Sequence, residues 1–414
     1  MAAVLAGLVS TVPKMPRWQW GEWSAALPPL LPLLALAAGL CLIYSLAGLL
    51  IDRKSASRFA IAFGPVFVLA LLAYLLANER SVRAYGIGYA FWALGLGMLL
   101  SNTLGLPGWL RPAVRTEFYI KTGLVLLGAE ILFNNILSFG AYGLAIAWGV
   151  TPLVIVFMWL FGTRILRMAN RPLVIIIAAA TSVCGVSAAI AAAAACRARK
   201  EDLTVAVGMT LIFTVLMMIG MPALIEAMGL DPLIGGAWMG GTIDATGAVV
   251  AAGAALGSSA EQAAAIVKMI QNLLIGAVAF LIALYWVTVV ERRPDAPRPG
   301  IGEVWLRFPK FILGFVAASV VTSFLLIPSM GQEAVMKVLD QTKVFRGWLF
   351  CLAFVSIGLE ANLREMAARM VGGKPVYLYL TGQTFNLILT LLIAWLVLSG
   401  VLFPPPPQMG GGGG

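Results

Sequence analysis

The stretch that decides the fold of this chain is PLVIIIAAATSVCGVSAAIAAAAAC at residues 172–196, which carries no charge. Small polar and flexible residues interrupt its middle, namely Thr181, Ser182, Cys184, Gly185 and Ser187. Lipid cannot satisfy the backbone polar groups that such an interruption frees, so the break must face protein or a water-filled cavity. The stretch therefore predicts a broken membrane helix with a candidate binding site at its centre.

A second segment at residues 232–257, PLIGGAWMGGTIDATGAVVAAGAALG, repeats this design. Its interruption contains Gly241, Thr242, Asp244, Thr246 and Gly247. Paired interrupted hydrophobic segments are typical of the substrate site of a secondary transporter. We therefore expect the two breaks to meet near the middle of the membrane.

The composition excludes an ordinary soluble protein. Hydrophobic residues make up 61% of the chain and charged residues only 11%, whereas soluble domains carry about 25% charged residues. We predict an all-α polytopic membrane protein with about ten to twelve transmembrane helices, because each crossing needs about 20 apolar residues. The candidate spans are 25–51, 59–77, 85–101, 122–137, 143–163, 172–195, 203–224, 232–257, 269–290, 311–327, 347–359 and 375–403.

The ends of the chain are expected to differ from this transmembrane domain, which is predicted to cover residues 25–403. Residues 1–24 read as an interfacial segment, because Trp18, Trp20 and Trp23 lie close to Lys14 and Arg17 and tryptophan is enriched at membrane surfaces. Residues 404–414 are rich in proline and glycine, and we expect them to form a disordered tail.

The net charge of +10 is explained by membrane topology rather than by nucleic acid, since the basic residues fall mostly in short loops. Basic residues concentrate on one face when both interrupted segments enter and leave by the same side. This arrangement places Arg197, Arg199 and Lys200 in the cytoplasm. It also makes the two segments enter from opposite faces, as inverted repeats do.

A repeated Gly-x-Glu motif also supports internal pseudo-repeats. Gly128 and Glu130 in GLVLLGAEILF resemble Gly358 and Glu360 in AFVSIGLEANL, because each acid follows an apolar half-helix. The first pair precedes an interrupted segment and the second pair follows one. The repeats are therefore either permuted or wrongly matched.

The chain has no histidine, and its four cysteines show no paired spacing. We therefore expect no metal site, cofactor or disulfide. Proton coupling would have to use aspartate or glutamate. Our candidates for coupling are Asp244, Glu130 and Glu360, and Asp244 leads because an ionised group in an apolar segment costs at least about 2.5 kcal/mol.

Other polar residues are candidates for lining a cavity. Two lysines in this group could instead extend to the membrane surface, and the amides could serve helix contacts. The set comprises Lys121, Lys268, Gln271, Asn272, Gln383 and Asn386.

The predicted substrate is a small anion, because a half-helix N-terminus carries about half a positive charge and unpaired N–H groups. The hydroxyls of the two interruptions would add donors. Asp244 would repel an anion when ionised, so we expect it to bind Na⁺ or to carry a coupled proton.

Several motifs resemble the YeiH-like sulfate exporter family of bacterial inner-membrane proteins. They are LPGWLRPAVRTEFYIKTGLVLLGAEILF at 106–133, TSVCGVSAAIAA at 181–192, GTIDATGAVVAAGA at 241–254, VKMIQNLLIGAVAF at 267–280 and CLAFVSIGLEANLREM at 351–366. The resemblance implies an integral membrane transporter with sulfate as the proposed substrate. The broken helices are more distantly similar to bile-acid and sodium symporter folds, in which a core domain moves against a panel domain.

We therefore expect a secondary transporter of a small oxyanion such as sulfate in the bacterial inner membrane, and not an enzyme. The alternatives are an anion channel, or a carrier of an organic sulfonate or carboxylate coupled to Na⁺ or H⁺. The expected partners are the lipid bilayer, the anion and its coupling ion, without nucleic acid, and a homodimer is compatible with the sequence.

Overall fold

The computed structural model describes residues 12–21, 26–51, 53–84, 88–290, 305, 310–361 and 373–404. Regular structure in these residues is helical, apart from an isolated bridge between Trp18 and Glu79. Trp23 and the segments 291–304 and 405–414, the second of which belongs to the predicted disordered tail, lie outside the described residues. The predicted all-α polytopic membrane fold is confirmed.

The chain forms two compact units. Unit 1 contains Met1–Phe133 and Phe311–Arg364, and unit 2 contains Asn134–Lys310 and Glu365–Gly414. The helices of unit 1 are α1 (Leu30–Ile51), α2 (Arg53–Asn78), α3 (Arg80–Ala84), α4 (Tyr89–Thr103), α5 (Thr116–Glu130), α13 (Phe311–Val320), α14 (Ile327–Met330) and α15 (Gln332–Glu360). The helices of unit 2 are α6 (from Phe133 to Leu160), α7 (Arg171–Ala179), α8 (Gly185–Ala195), α9 (Lys200–Ala227), α10 (Pro232–Thr242), α11 (Thr246–Ala255), α12 (Ser258–Tyr285) and α16 (Lys374–Leu398).

Nine helical stretches among the described residues are long and apolar enough to cross a membrane. They are Leu30–Leu49, Ser57–Asn78, Ile136–Ile165, Arg171–Ala195, Lys200–Ala227, Ser258–Val290, Phe311–Met330, Gln332–Glu360 and Lys374–Leu398. The remaining predicted spans correspond to shorter helices. The span predicted at 85–101 overlaps α4, which ends two residues later at Thr103, and the span predicted at 232–257 contains α10 and α11.

Two predicted boundaries are wrong. The segment 122–137 is not one span, because α5 ends at Glu130 and the next helix begins at Phe133. This break is held within unit 1, where Ser319 donates to the carbonyl of Ile131 (2.5 Å) and the Phe133 N–H donates to Ser323 (2.8 Å). The short span predicted at 347–359 is the end of the 29-residue helix α15.

The two Gly-x-Glu motifs lie at close helix crossings in unit 1. A Cβ atom on Gly128 would meet the backbone of Phe315 in α13, and a Cβ atom on Gly358 would meet the backbone of Leu94 in α4. Both acids end their helices, at Glu130 in α5 and Glu360 in α15. The repeated Gly-x-Glu motif therefore corresponds to two similar helix ends.

The segment before α1 is anchored by buried contacts. Trp18 is 2% exposed and its indole N–H donates to the carbonyl of Leu75 (2.7 Å). The Trp348 indole N–H donates to the carbonyl of Pro13 (3.2 Å). Trp18 therefore packs within unit 1, whereas Trp20 is 58% exposed. The interfacial role of residues 1–24 stays a prediction.

Residues 171–195 form a helical hairpin, which we call hairpin 1. Its first arm is α7 with a π-helical turn at Ala180–Cys184, and its second arm is α8. The helix breaks at Cys184, which is extended with φ −152° and ψ 92°. Both arms pack against α9. Asn170, just before the first arm, donates to Asp202 at the start of α9 (2.6 Å), and the second arm ends close before Lys200. Hairpin 1 therefore begins and ends beside the N-terminus of α9.

Residues 232–255 form hairpin 2, whose arms α10 and α11 are separated by Ile243, Asp244 and Ala245. Both arms pack against α12. A Cβ atom on Gly236 would lie 2.7 Å from Cα of Ala260, and one on Gly253 would lie 2.8 Å from Cα of Glu261. Both ends of hairpin 2 therefore lie beside the start of α12.

The two hairpins enter unit 2 from opposite ends of α9. Hairpin 1 lies at its N-terminus, and hairpin 2 follows its C-terminus through the capping residue Asp231, which accepts from the Leu233 N–H (2.7 Å). Since α9 has 28 residues, it is about 42 Å long, enough to separate two membrane faces. The two hairpins thus lie at opposite ends of α9, and their entry from opposite membrane faces stays a prediction.

Candidate functional site

The candidate site lies in unit 2, where the ends of the hairpins meet. We call residues 181–187 tip 1 and residues 241–247 tip 2. The Cys184 thiol lies 3.7 Å from the Thr246 hydroxyl. A Cβ atom on Gly185 would lie 3.3 Å from Cβ of Asp244 and 3.4 Å from the hydroxyl of Thr210 in α9. The two predicted interruptions are thus in direct contact.

Side chains satisfy the carbonyls freed at tip 1. The carbonyl of Thr181 accepts from Asn386 of α16 (3.2 Å). The carbonyl of Ser182 accepts from Thr151 of α6 (3.1 Å) and from Gln271 of α12 (2.9 Å). Helix C-termini leave carbonyls without intrahelical partners, so these bonds stabilise the broken end.

Lys268 of α12 is the remaining side chain that donates to a freed carbonyl of tip 1. Its ammonium group donates to the carbonyl of Val183 (2.6 Å) and to the side-chain oxygen of Gln271 (2.7 Å). Lys268 is 1% exposed, and among the described residues no carboxylate lies within ion-pair distance of it. A cation at a helix C-terminus is favourable because the aligned peptide dipoles make that end negative.

Amide side chains satisfy the carbonyls freed at tip 2 in the same way. The carbonyl of Gly241 accepts from Gln271 (3.1 Å), and the carbonyl of Thr242 accepts from Gln383 of α16 (3.1 Å). Because Gln271 also donates to Ser182 of tip 1, one amide bridges the two tips. The two helix C-termini at the tips are therefore capped by side chains.

The half-helix N-termini at the tips, unlike the C-termini, are not capped by the side chains of their N-cap residues. The residue before α8 is Cys184 and the residue before α11 is Ala245, and neither supplies a side-chain capping hydrogen bond. The first N–H groups of a helix lack intrahelical acceptors. The meeting point of the tips therefore presents two helix N-termini with no acceptor from their N-cap residues.

Asp244 lies at this meeting point, is 1% exposed, and accepts a hydrogen bond at Oδ2 from the hydroxyl of Tyr379. Its second oxygen, Oδ1, has no partner in the described part of the chain. Three further buried oxygens also lack partners there: Oγ1 of Thr181 in tip 1, Oδ1 of Asn272 in α12 and Oε1 of Gln383 in α16. The carboxylate and amide oxygens can only accept hydrogen bonds, whereas the Thr181 hydroxyl can also donate one.

The hydroxyl groups that were predicted to donate to a ligand differ in their hydrogen bonds. Ser182 donates to the carbonyl of Ala178, and Thr242 donates to the carbonyl of Trp238 (2.7 Å), so both hydroxyl protons are held within their own helices. The Thr246 hydroxyl accepts from Asn272 (3.1 Å). Ser187 is half-buried and Gly247 is buried. In this conformation Ser182 and Thr242 offer no hydroxyl donor to a ligand.

Three predicted residues belong to unit 1 instead. The carboxylate of Glu130 forms a two-pronged ion pair with Arg346 (2.7 and 2.8 Å). Glu360 accepts from the hydroxyl of Thr116 (2.9 Å). Lys121 pairs with Glu117 (3.1 Å) and its side chain is 44% exposed. The partners of these three residues therefore all lie within unit 1.

The sequence reasoning missed Tyr379 and Thr151. Tyr379 lies four residues before Gln383, and Asn386 and Thr390 continue the same face of α16, with Thr390 donating to Asn386 (2.9 Å). Residues spaced by three or four lie on one helix face. This spacing was the available signal for Tyr379, whereas Thr151 is surrounded by apolar residues and gave none.

Comparison with known proteins places the chain among membrane proteins. A family described as Conserved hypothetical protein 698 matches residues 62–379. A UPF0324 membrane protein of Rhodopirellula baltica is 54% identical over 350 residues, which cover 84% of this chain and 64% of that protein. A UPF0324 membrane protein of Nitratidesulfovibrio vulgaris is 49% identical over 380 residues, covering 90% of this chain and 65% of that protein.

A more distant relative, a UPF0324 membrane protein of Nitrosomonas europaea, is 29% identical over 433 residues, with 92% of this chain and 86% of that protein covered. The chain thus spans less than two thirds of the length of the first two relatives. No solved structure matches the chain.

Proposed function

This chain belongs to the Conserved hypothetical protein 698 family of membrane proteins, and from the geometry of its tips we propose that it is a secondary transporter of a small oxyanion. Sulfate is the first substrate to test. The site of transport is the meeting point of tip 1 and tip 2 in unit 2.

One observation carries this proposal: the helix C-termini at the tips are capped by side chains, whereas the N-termini of α8 and α11 receive no cap from Cys184 or Ala245. A helix N-terminus attracts an anion through its free N–H groups and its dipole. Two such ends in contact would supply backbone donors from two directions. Contacts of this kind suit an oxyanion.

The role of Asp244 in this proposal is coupling. An ionised carboxylate at the N-terminus of α8 would repel a second anion at the same place. Binding of a cation or a proton to Asp244 removes that repulsion. Anion binding and cation binding would therefore favour each other, which is the thermodynamic basis of coupled transport.

A carrier is favoured over an anion channel because the tips are closed by direct bonds, including the bridge through Gln271. Organic sulfonates and carboxylates remain alternative substrates, since they present the same oxygens to backbone donors. A transport role without enzymatic activity is part of the same proposal.

The test uses purified protein in proteoliposomes loaded with unlabelled sulfate. We expect uptake of labelled sulfate by counterflow, because an exchanging carrier moves label inward while unlabelled substrate leaves. Liposomes containing the Gly185→Leu variant should show little uptake, since a side chain at residue 185 would meet Asp244 and Thr210.

The matched control is Gly208→Leu in α9, where a Cβ atom would meet nothing within 4 Å. This variant should retain uptake. Label that equilibrates without dependence on the internal sulfate would indicate a channel. Absence of uptake for sulfate, sulfonates and carboxylates alike would contradict the proposed function.

A further inference from the structure

The backbone carbonyls freed at the tips already accept hydrogen bonds from side chains, and this bears on the identity of the coupling ion. In transporters with broken helices, the carbonyls at half-helix C-termini coordinate Na⁺. Here the carbonyl of Val183 already accepts from the Lys268 ammonium group at 2.6 Å. A protein cation thus occupies the position at tip 1 that a bound metal ion would take.

The neighbouring carbonyls are occupied in the same way. Those of Thr181, Ser182, Gly241 and Thr242 all accept from amide or hydroxyl groups of α6, α12 and α16. An N–H group of a side chain therefore donates to each of these four carbonyls and to that of Val183. A sodium ion coordinated by these carbonyls would have to displace several of the donors and would then lie beside the charge of Lys268.

A proton, in contrast, needs no cavity and no set of ligands. Asp244 is buried, its Oδ2 accepts from Tyr379, and its Oδ1 has no partner in the described part of the chain. A buried ionised carboxylate with an unpartnered oxygen is costly. Protonation would neutralise the Asp244 carboxylate without any change in its position.

The titratable groups around Asp244 and Lys268 are few. They are Tyr379 of α16, which contacts Asp244, and Cys184 of tip 1, which lies next to Gly185. Residues 203–225 of α9 contain no titratable side chain, and hairpin 2 contains only Asp244. Asp244 is thus the one carboxyl group in hairpin 1, hairpin 2 and residues 203–225 of α9.

We infer that transport by this protein is coupled to protons carried by Asp244 and does not require Na⁺, because the Lys268 ammonium group acts as a built-in cation on tip 1. The inference rests on the proposed function. In the coupling step, the Asp244 carboxylate takes up one proton to become a neutral acid, and the same proton is released when the anion leaves. Lys268 keeps its charge and holds Val183 and Gln271 in place.

The first experiment measures ion binding without transport. The midpoint of thermal unfolding of the purified protein is compared in sodium chloride and in choline chloride at equal ionic strength. A ligand that binds only the folded state raises the unfolding midpoint. Because we expect no Na⁺ to bind, the midpoints in the two salts should be equal. A rise specific to Na⁺ would overturn the inference.

Infrared spectroscopy provides the second measurement. A protonated carboxylic acid has a carbonyl stretching band that an ionised carboxylate lacks. We expect this band at neutral pH in the wild type, with loss of intensity in Asp244→Asn. The control is Asp231→Asn at the exposed start of hairpin 2, which should retain the band. A spectrum unchanged by Asp244→Asn would overturn the assignment of the proton.

A third measurement uses proteoliposomes with a trapped pH-sensitive dye and a sulfate gradient. Sulfate movement should change the internal pH equally in sodium and choline buffers. If no sulfate moves at all, the proposed function fails for that substrate, while the unfolding and infrared results still decide the identity of the ion.

The Lys268→Met variant tests the built-in cation. It keeps a long side chain and removes the charge, so the carbonyl of Val183 becomes free. We expect Na⁺ to raise the unfolding midpoint of this variant but not that of Lys337→Met, whose lysine is an exposed partner of Glu333. No effect of Na⁺ on a folded Lys268→Met protein would contradict the substitution of lysine for a metal ion. If Lys268→Met does not fold, the wild-type measurements above remain sufficient.

Discussion

At the residue scale, the Asp244 carboxylate depends on the phenol of Tyr379 for a hydrogen bond. Tyr379→Phe should lower the free energy of unfolding by about 1–3 kcal/mol, because it leaves a buried polar group without a partner. Tyr377→Phe is the matched control, since Tyr377 lies on the same helix and is 62% exposed. Equal unfolding curves for the two variants in detergent would show that the bond contributes nothing.

The Glu130–Arg346 pair in unit 1 is a second test at this scale. The side chains are 13% and 5% exposed, and loss of one partner from a buried ion pair costs about 3–5 kcal/mol. Glu130→Gln should therefore destabilise the protein strongly. The exposed pair of Glu333 and Lys337 supplies the control, because Glu333→Gln should cost less than about 1 kcal/mol. A stable Glu130→Gln protein that has lost driven uptake would instead support the predicted coupling role of Glu130.

At the scale of helices, α4 and α15 cross where Gly97 meets Gly358. A Cβ atom on Gly97 would lie 2.5 Å from the carbonyl oxygen of Val355. Gly97→Leu should push the helices apart and cost about 1–3 kcal/mol through overpacking. Gly95→Leu, two residues away with nothing within 4 Å of its Cβ position, should leave the unfolding midpoint nearly unchanged. A similar midpoint for both variants would contradict this crossing as a packing constraint.

The hairpins were predictable from the sequence because polar and glycine residues interrupt long apolar runs, and lipid does not tolerate free backbone groups. The break between Glu130 and Phe133 was not predictable in the same way. Ile131 and Leu132 are apolar, and the side chains that satisfy this break, Ser319 and Ser323, lie far away in the sequence. Local composition reveals a break only when the breaking residues are themselves polar or flexible.

The same limit applies to the candidate site. Asp244, Lys268 and Gln271 were identified because charged and amide groups are rare in apolar spans. Their partners were not, since the bond from Lys268 to Val183 and the bridge of Gln271 between two tips depend on how distant segments pack. Likewise, the hydroxyls of Ser182 and Thr242 were expected to face a ligand, and the structure shows them bonded to their own helices.

At the scale of the whole molecule, the YeiH-like family assignment made from the motifs is confirmed by the match over residues 62–379. Membership extends over both units, since Gly128 and Gly358 of unit 1 and the tips of unit 2 all fall within the matched residues. The predicted homodimer and the substrate remain predictions.

The orientation of the hairpins gives the last prediction, because each hairpin should begin and end on one membrane face. In a cysteine-free background, single cysteines replace Ala169 and Arg199 at the ends of hairpin 1, and Met228 and Ser258 at the ends of hairpin 2. All four positions are exposed. The basic residues near hairpin 1 place its ends in the cytoplasm, so an impermeant thiol reagent added outside intact cells should label only positions 228 and 258.

Permeabilised cells provide the control, because all four cysteines should then react. The result that would contradict the hairpins is labelling of one end but not the other within a pair, since a continuous helix from 171 to 195 or from 232 to 255 would expose its two ends on opposite faces. Labelling of positions 169 and 199 together, with 228 and 258 protected, would keep both hairpins and reverse the predicted orientation. Both arms of hairpin 1 pack against α9, and both arms of hairpin 2 pack against α12. This packing requires only that the two cysteines at the ends of one hairpin react alike.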